Sequence, residues 1–570
     1  MKKTSPSLDY LFLAIPIVLF FYFLSKYWVN IPQEDEYRTI CQFLIRWVDA
    51  PTWQEKWSVL FTSENESKPV YYRIYFLIWY YLSGQLDFRW LMLIGNLAVL
   101  AITFHLYRQF QQLKVRPLYF LPVLLFLFQP QYWMCSLRAD TSIFYLHSIF
   151  WGVYIPVLLV ANTRKGYLWA LGLAFLSLST SALGLLVFVT GGLILLYQGR
   201  KNYLFGWGAT LLVGYFLFLY SPHSNASAGR LLAGLFNNPL ENLSLFFGYV
   251  GSFANHTSLY SRWQVVLIGL VLFWGLILLI FTLFMREPSK RHQPYFVIMT
   301  AIFLYSSAAV LLFAFTRWVG GYENTFYELV IEKNKKLFAV LFPILTYVLW
   351  MLLVNERWYR LVFGLFFTCS LIFYGFSYFS SIPEVAFNKR ELLLDSFHWR
   401  HGNTLISMPV RKANPILNQV YGWFFSKQKY QFPASYLAEL EDELLKQPDS
   451  AAIQKMPDLK VFTYQKNKTD MYQINRTFYR FANERYQNPE KSLYDGAYLV
   501  LKSATDTYVI PTQNNRNGKG NFLMTGRWFR EGFATDVEAV FPKNIYRFGL
   551  LTVENDHLTL IYTDKLLHVN

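Results

Sequence analysis

Cysteine is nearly missing from this chain: three thiols, Cys41, Cys135 and Cys369, stand in 570 residues with no Cys-x-x-Cys pair. That supports neither a structural zinc site nor a disulfide-built fold, and free thiols are the expected state. Charge is scarce too, at 15% of residues against 54% hydrophobic and 20% aromatic, which is not the balance of a water-soluble domain. There is no His-Glu-x-x-His pattern, no glycine-rich phosphate loop and no Gly-x-Ser-x-Gly elbow, so the common zinc-hydrolase, nucleotide-binding and serine-hydrolase signatures are excluded. His105, His147, His223 and His256 are isolated and read as packing or interfacial residues. Internal repeats and low-complexity tracts are absent.

Long apolar runs are what the chain has instead. Candidate spans lie at about 9–29, 90–107, 117–134, 142–162, 167–181, 183–199, 203–221, 263–285, 294–316, 336–354 and 358–378, each read against a hydrocarbon core about 30 Å thick. The first follows Lys2 and Lys3, lacks a small-x-small cleavage site and ends in Lys26-Tyr27-Trp28, so it is expected to be a retained helix with its amino end inside. The apolar segment 71–82 contains Arg73 and is too short to cross; it is expected to lie in the outer interface.

The net charge of +16 invites a nucleic-acid reading, but its distribution argues for topology. With 71–82 excluded, Arg108, Lys114 and Arg116, Arg164 with Lys165, Arg200 with Lys201, Arg286 with Lys290 and Arg291, and Arg357 with Arg360 all fall on the cytoplasmic side. If 71–82 crossed, every one of these clusters would flip outward. The expectation is therefore a polytopic α-helical membrane protein of about eleven transmembrane helices. Its outer face gathers the loop 30–89, the turn 129–142, the loop 221–262 and the stretch 317–336. No nucleic-acid partner is implied; the lipid bilayer is.

After Ser381-Ile382-Pro383 the composition turns polar. Residues 383–457 read as a helical extracytoplasmic linker region, with Leu437, Leu440, Leu444 and Leu445 on one helical face. Alternating segments such as LKVFTYQ, AYLVLKS and RFGLLTV predict that 458–570 is β-rich, making the tail an α+β domain that ends in a small β-sandwich. The transmembrane domain is assigned to 1–382.

The polar residues of the outer face carry the candidate chemistry. Glu34, Asp35 and Glu36 stand together beside a span, with a second acidic patch at Glu64 and Glu66; such a cluster near a membrane is costly unless solvated or used. One reading is that the triplet caps or solvates a surface helix. The other is that a carboxylate deprotonates a sugar hydroxyl, which needs a positioned base, while Arg138, Arg317, Lys333, Lys335 and Lys336 stabilise a departing phosphate. Arg138 and Asp140 equally suit a mutually neutralising pair, and Arg317 suits a snorkelling anchor. Lys333, Lys335 and Lys336 break the positive-inside trend, which favours an anionic partner such as a lipid phosphate.

Three stretches carry a family resemblance: Asn65-Glu66-Ser67-Lys68 with Arg73, then GQLDFRWLMLIGN from Gly84 to Asn96; the QPQYW turn at 129–133; and Arg317 with Gly320 and Gly321. Over roughly 10–380 the chain resembles the GT-C superfamily of polyprenyl-phosphate-dependent membrane glycosyltransferases, and in particular a bacterial branch whose motif reads Asn-Glu-His-Arg. Ser67 and Lys68 depart from that motif. The resemblance implies transfer of a sugar from a polyprenyl-phosphate-linked donor to an envelope glycan or glycolipid, on the non-cytoplasmic side of the inner (plasma) membrane. It implies Asp35 as catalytic base and Glu66 as second catalytic carboxylate, with Glu34, Glu36, Lys68, Arg73, Arg138, Asp140, Arg317, Lys333, Lys335 and Lys336 around the substrates. A divalent metal is compatible with this chemistry, and no residue pattern specifies one. The competing expectation is a non-catalytic transporter or assembly factor for lipid-linked glycans. A ligase or polymerase would share the chemistry and differ in acceptor.

Overall fold

A computed structural model of the chain describes residues 6–64, 67–220, 239–255, 262–287, 293–318, 335–402, 404–407, 415–433, 437–449, 453–455, 458–467, 475–488, 496–538, 541–554 and 557–569. The chain forms two compact units, one of residues 1–26 and 38–381 and one of residues 27–37 and 382–570.

The first unit is helical. Among the described residues nine helices are long and apolar enough to cross a membrane: Ser7–Tyr27, Phe88–Leu113, Pro117–Ser136, Ala139–Val160, Lys201–Leu219, Trp263–Arg286, Pro294–Ala314, Lys336–Leu353 and Glu356–Gly402. Two further candidate spans, read from sequence as 167–181 and 183–199, are the helices Arg164–Leu178 and Leu183–Tyr197. At fifteen residues each they reach only about 22 Å, so the expected eleven separates into nine long helices and a short pair. The stretch 221–262, read as loop, contains the helix Pro239–Gly251. It packs backbone to backbone on the helix Arg262–Arg286: a Cβ at Gly251 would lie 2.0 Å from the Val265 carbonyl oxygen, and one at Gly269 1.8 Å from that of Phe247. Only residues without a side chain permit this approach.

Arg116 grips Asp9 through Nε at 2.7 Å, which brings the start of the first long helix and the basic turn after the second to the same end of the bundle. The segment 71–82 lies in the helix Val70–Ser83, closed by Gly84 in the left-handed conformation (φ 71°). It buries Tyr72, Arg73, Phe76 and Tyr80 and exposes Ile74, Ile78 and Leu82, the two-faced pattern of a surface helix.

The composition change at Pro383 is not a helix end. The helix Tyr359–Gly402 runs through it for 44 residues, about 66 Å, so its apolar first half alone is long enough for a bilayer. Proline removes one intrahelical hydrogen bond. In the turns before it, Ser377 Oγ and Ser380 Oγ donate to the carbonyls of Phe373 and Phe376 at 2.9 and 2.8 Å.

The second unit ends in two four-stranded antiparallel sheets. Its strands are β1 (Leu459–Asn467), β2 (Asn475–Asn483), β3 (Gly496–Lys502), β4 (Thr507–Pro511), β5 (Gln513–Arg516), β6 (Phe529–Glu538), β7 (Asn544–Glu554) and β8 (His557–Val569). They are ordered β1-β2-β6-β5 and β4-β3-β7-β8. Phe481 and Phe533 from one sheet meet Leu499, Leu501, Phe548 and Leu550 from the other in a shared core. The opposite face of the second sheet packs Tyr498, Val500, Val509 and Leu551 against Leu394 and Phe397 of the long helix. β3 is thus buried on both faces at every position, so AYLVLKS, expected from sequence to be an alternating segment, is instead the continuous apolar run that a strand covered on both faces needs.

Candidate functional site

The acidic triplet separates into two kinds of carboxylate. The Gln33 N–H donates to Glu36 Oε2 at 2.7 Å and the Glu36 N–H to the Gln33 carbonyl at 2.9 Å, a reciprocal pattern like a capping box. Glu36 is fully buried. Glu34 turns the chain in the left-handed region (φ 43°), unusual for a residue with a Cβ, and it and Asp35 are exposed. The turn belongs to the second unit. Val29 and Ile31 pack with Leu392, Tyr430 donates its hydroxyl to the Asn30 carbonyl at 2.6 Å, and the hydroxyls of Tyr37 and Tyr421 are 2.7 Å apart. The candidate base Asp35 is therefore displayed on a turn that C-terminal residues hold in place.

The remaining candidates sit in the first unit. The Arg73 guanidinium is buried beneath the carboxyl end of the helix Trp53–Leu60, donating through Nη1 to the carbonyls of Leu60 at 2.8 Å and Thr62 at 2.6 Å. A cation there satisfies carbonyls left over by the helix and suits its dipole. Its ring-facing side covers Phe43 at 5.1 Å. Glu64 accepts from Arg73 Nη2 at 3.4 Å, from Arg38 Nε at 3.2 Å and from the Tyr72 hydroxyl at 3.0 Å. Burial raises the Tyr72 phenol well above its usual value, the charge of Glu64 adds to this, and Asp140 lies close enough to contribute. Burial lowers the Arg73 guanidinium. Asp140 in turn is 3.5 Å from Arg138, with its Oδ1 accepting from the Thr141 N–H at 2.6 Å. Arg38, Glu64, Arg73, Tyr72, Asp140 and Arg138 thus form one run of ionisable groups. Lys68 is tied elsewhere, its Nζ donating to the Leu217 carbonyl at 3.1 Å.

The turn 129–142 that carries Arg138 and Asp140 reaches a second polar group at its other end. Gln131 Nε2 donates to the carbonyls of Phe253 and Asn255 at 2.9 and 3.1 Å, and Lys336 Nζ donates to the same Asn255 carbonyl at 2.8 Å. Lys335 lies over the Phe313 ring at 5.4 Å. Both lysines are buried, at 5% and 3% exposure, where the helix Lys336–Leu353 begins. The chain matches no family model, no curated protein and no solved structure.

Glu66 and Lys333 lie outside the described residues, as do Asn65, Gly320 and Gly321. Arg317 belongs to the helix Pro294–Trp318. The cysteines are free thiols, Cys41 and Cys135 buried and Cys369 exposed. Of the isolated histidines, His147 meets the Tyr71 hydroxyl through Nδ1 at 2.8 Å and His105 stacks on Tyr154 at 4.2 Å. Among the described residues no three His, Cys, Asp or Glu side chains converge as a metal-binding group.

Chemically, then, one unit presents an exposed carboxylate on a strained turn, and the other holds a buried arginine-carboxylate run and a buried lysine pair on two ends of one turn. Sequence picks out Arg73, Arg138, Asp140 and the lysines, but not Arg38, Tyr72, Gln131 or Asn255 as their partners. Tyr72 is adjacent to Arg73, and Gln131 stands in the QPQYW stretch; Asn255 carries no local signal at all.

Proposed function

We propose that the protein is an integral membrane glycosyltransferase of GT-C type. It moves a sugar from a polyprenyl-phosphate donor to an envelope glycan or lipid acceptor on the non-cytoplasmic side. The observation that carries this reading is the buried pair Lys335 and Lys336 at the amino end of a helix. Two ammonium groups at the positive end of a helix dipole create a local field that favours an anion, and a polyprenyl phosphate at a membrane surface is an anion of that kind. In the proposed step Asp35 takes the proton of the acceptor hydroxyl, whose oxygen bonds to the anomeric carbon as the bond from that carbon to the phosphate oxygen breaks. The electron pair leaves with the carrier phosphate, whose charge the lysines stabilise.

The test is transfer from a labelled polyprenyl-phosphate sugar to extracted envelope glycan. Asp35→Asn is expected to lose about 100-fold or more of the rate, the usual scale for a general base, and Lys335→Gln with Lys336→Gln to raise the KM for donor. Unchanged turnover by Asp35→Asn would remove it from the mechanism. A second reading, a non-catalytic transporter or assembly factor for lipid-linked glycans, is favoured by the structural work that Glu36, Glu64 and Arg73 perform. It expects no transfer by the wild-type protein at all.

A further inference from the structure

At the end of the bundle where the helix Leu183–Tyr197 finishes and the helix Pro294–Trp318 begins, these two helices and the last turns of Arg262–Arg286 leave a cleft of about 590 Å³. It is within the range of ligand cavities, about 300–1,000 Å³. Its walls are apolar, among them Leu193, Tyr197, Phe281, Phe284 and Ala301, and several of these side chains are exposed at its side. In a transmembrane segment that side opens to lipid. From Thr190 to Tyr197 the cleft follows the helix for about 10 Å.

Three lining residues carry hydroxyls, Thr190, Tyr197 and Thr300. The Thr190 hydroxyl is satisfied within its own helix by the Leu186 carbonyl at 2.9 Å, and the Thr300 hydroxyl has no exposed surface, so the wall a ligand meets is almost wholly apolar. The open end of the cleft is basic in sequence. Arg286 follows Phe284 by two residues, and Arg200 and Lys201 follow Tyr197 by three and four, with Glu287 the single acid beside them. Arg200 stacks on Tyr203 at 3.9 Å and keeps a buried Nη1 without an acceptor.

We infer that this cleft holds one acyl chain of an anionic glycerophospholipid. The chain fills the apolar walls, and the head-group phosphate faces Arg286, Arg200 and Lys201. The site is independent of the proposed transfer reaction. An acyl chain in the cleft with its head group at the open end accounts for the apolar walls and the basic rim together.

The full-length protein in nanodiscs, given a phosphatidylglycerol probe with a photoreactive group in one acyl chain, tests this. Labelling is expected on peptides containing residues 277–284 and 296–304, and unlabelled phosphatidylglycerol should compete better than phosphatidylcholine by about fivefold per basic residue engaged. Arg286→Gln with Lys201→Gln should abolish that preference while chain labelling persists. Ala301→Phe should remove the labelling. Because Ala301 is buried, Leu193→Trp, at an exposed position of the lining, serves as the gentler variant, lowering labelling with the thermal transition unchanged. Equal competition by the two lipids, or labelling of the wild type away from these peptides, would overturn the inference.

Discussion

Residues 27–37 and residues 38–73 follow one another in the chain, yet they are fastened in opposite ways. The first stretch belongs to the unit built from the C-terminal residues and is held by hydrogen bonds and a ring contact across nearly four hundred positions, Tyr37 to Tyr421 and Asn30 to Tyr430. The second is held locally by a cation, Arg73, that gathers carbonyls and a carboxylate from nine to fourteen residues upstream. A distant anchor makes the display of Asp35 depend on the folding of the tail. A local anchor makes the neighbouring loop largely self-supporting.

The sharpest way to break that contrast is Tyr421→Ala. Tyr421 is 1% exposed and sits between Trp399 and Phe432 at centroid distances of 4.5 and 4.9 Å, so its loss should cost about 3–5 kcal/mol in the second unit. Hydrogen exchange should accelerate at 27–37 and not at 59–73; equal acceleration of both would erase the distinction. Tyr421→Phe removes only the hydroxyl bond to Tyr37 and is expected to cost about 1 kcal/mol.

Next in size is Arg73→Ala, which strands the Leu60 and Thr62 carbonyls and leaves Glu64 with one partial neighbour fewer. About 3 kcal/mol is expected, with faster exchange confined to 59–73. Arg73→Lys should recover little of it, since an ammonium cannot reproduce the guanidinium fork.

A pH series probes the distant anchor alone. On the part of the long helix beyond Pro383, burial and the neighbouring Asp395 charge raise the Glu391 carboxyl to about 8, and burial raises Asp395 to about 7 against the hydrogen bonds it accepts from Ser407 and Ile406. Both stay protonated when folded at pH values where the unfolded chain ionises, so their contribution is present below about pH 4 and is lost as pH rises through 7 to 8. His398 has the opposite sign. Its Nε2 accepts from the Val509 N–H at 2.9 Å while Nδ1 meets the Leu394 carbonyl at 2.8 Å, and burial lowers it to about 4. Its contribution is present above about pH 6.5 and lost as pH falls toward 4. The two effects oppose between about pH 4 and 6.5, leaving the carboxylates to act alone above it. The unfolding midpoint of the second unit should fall between about pH 6.5 and 8, and Asp395→Asn with Glu391→Gln should flatten that fall.

The smallest effect belongs to Arg38→Ala. Its side chain is 49% exposed in the pair with Glu64, and screening by water limits such pairs to about 1 kcal/mol or less. A loss comparable to that of Arg73→Ala would mean that the exposed member, and not the buried one, organises the local anchor.

Much of the architecture is written in single-residue patterns. Apolar runs mark the long helices because length and composition suffice for a span; Arg73 within a short run marks Val70–Ser83 as too short to cross; short β-prone segments mark strands of the tail, although β3 and β4 are buried nearly throughout and do not alternate. The composition change at Pro383 falls inside a continuous helix, since proline costs one hydrogen bond and the helix tolerates it. One reading fails for an identifiable reason. The stretch 221–262 looks like a loop, although LENLSLFFGYVG has a helical apolar face in Leu245, Phe246, Tyr249 and Val250.

Of the candidate site, sequence supplies the charged residues and the side-chain types that phosphate and hydroxyl chemistry need. It does not say which of three adjacent carboxylates is used for capping, because Glu36 and Asp35 differ only in what folds over them. It does not join Gln131 and Lys336 through Asn255, 124 and 81 residues away.

What sequence determines here by itself is local: helix or strand, apolar or charged, too short or long enough. Tertiary structure alone decides that residues 27–37 leave their neighbours to join the tail, and that Arg73 serves carbonyls while two lysines share a buried helix start. The reason is physical: periodicity and composition act over one or two turns, whereas burial and charge pairing depend on which distant surfaces the folded chain brings together.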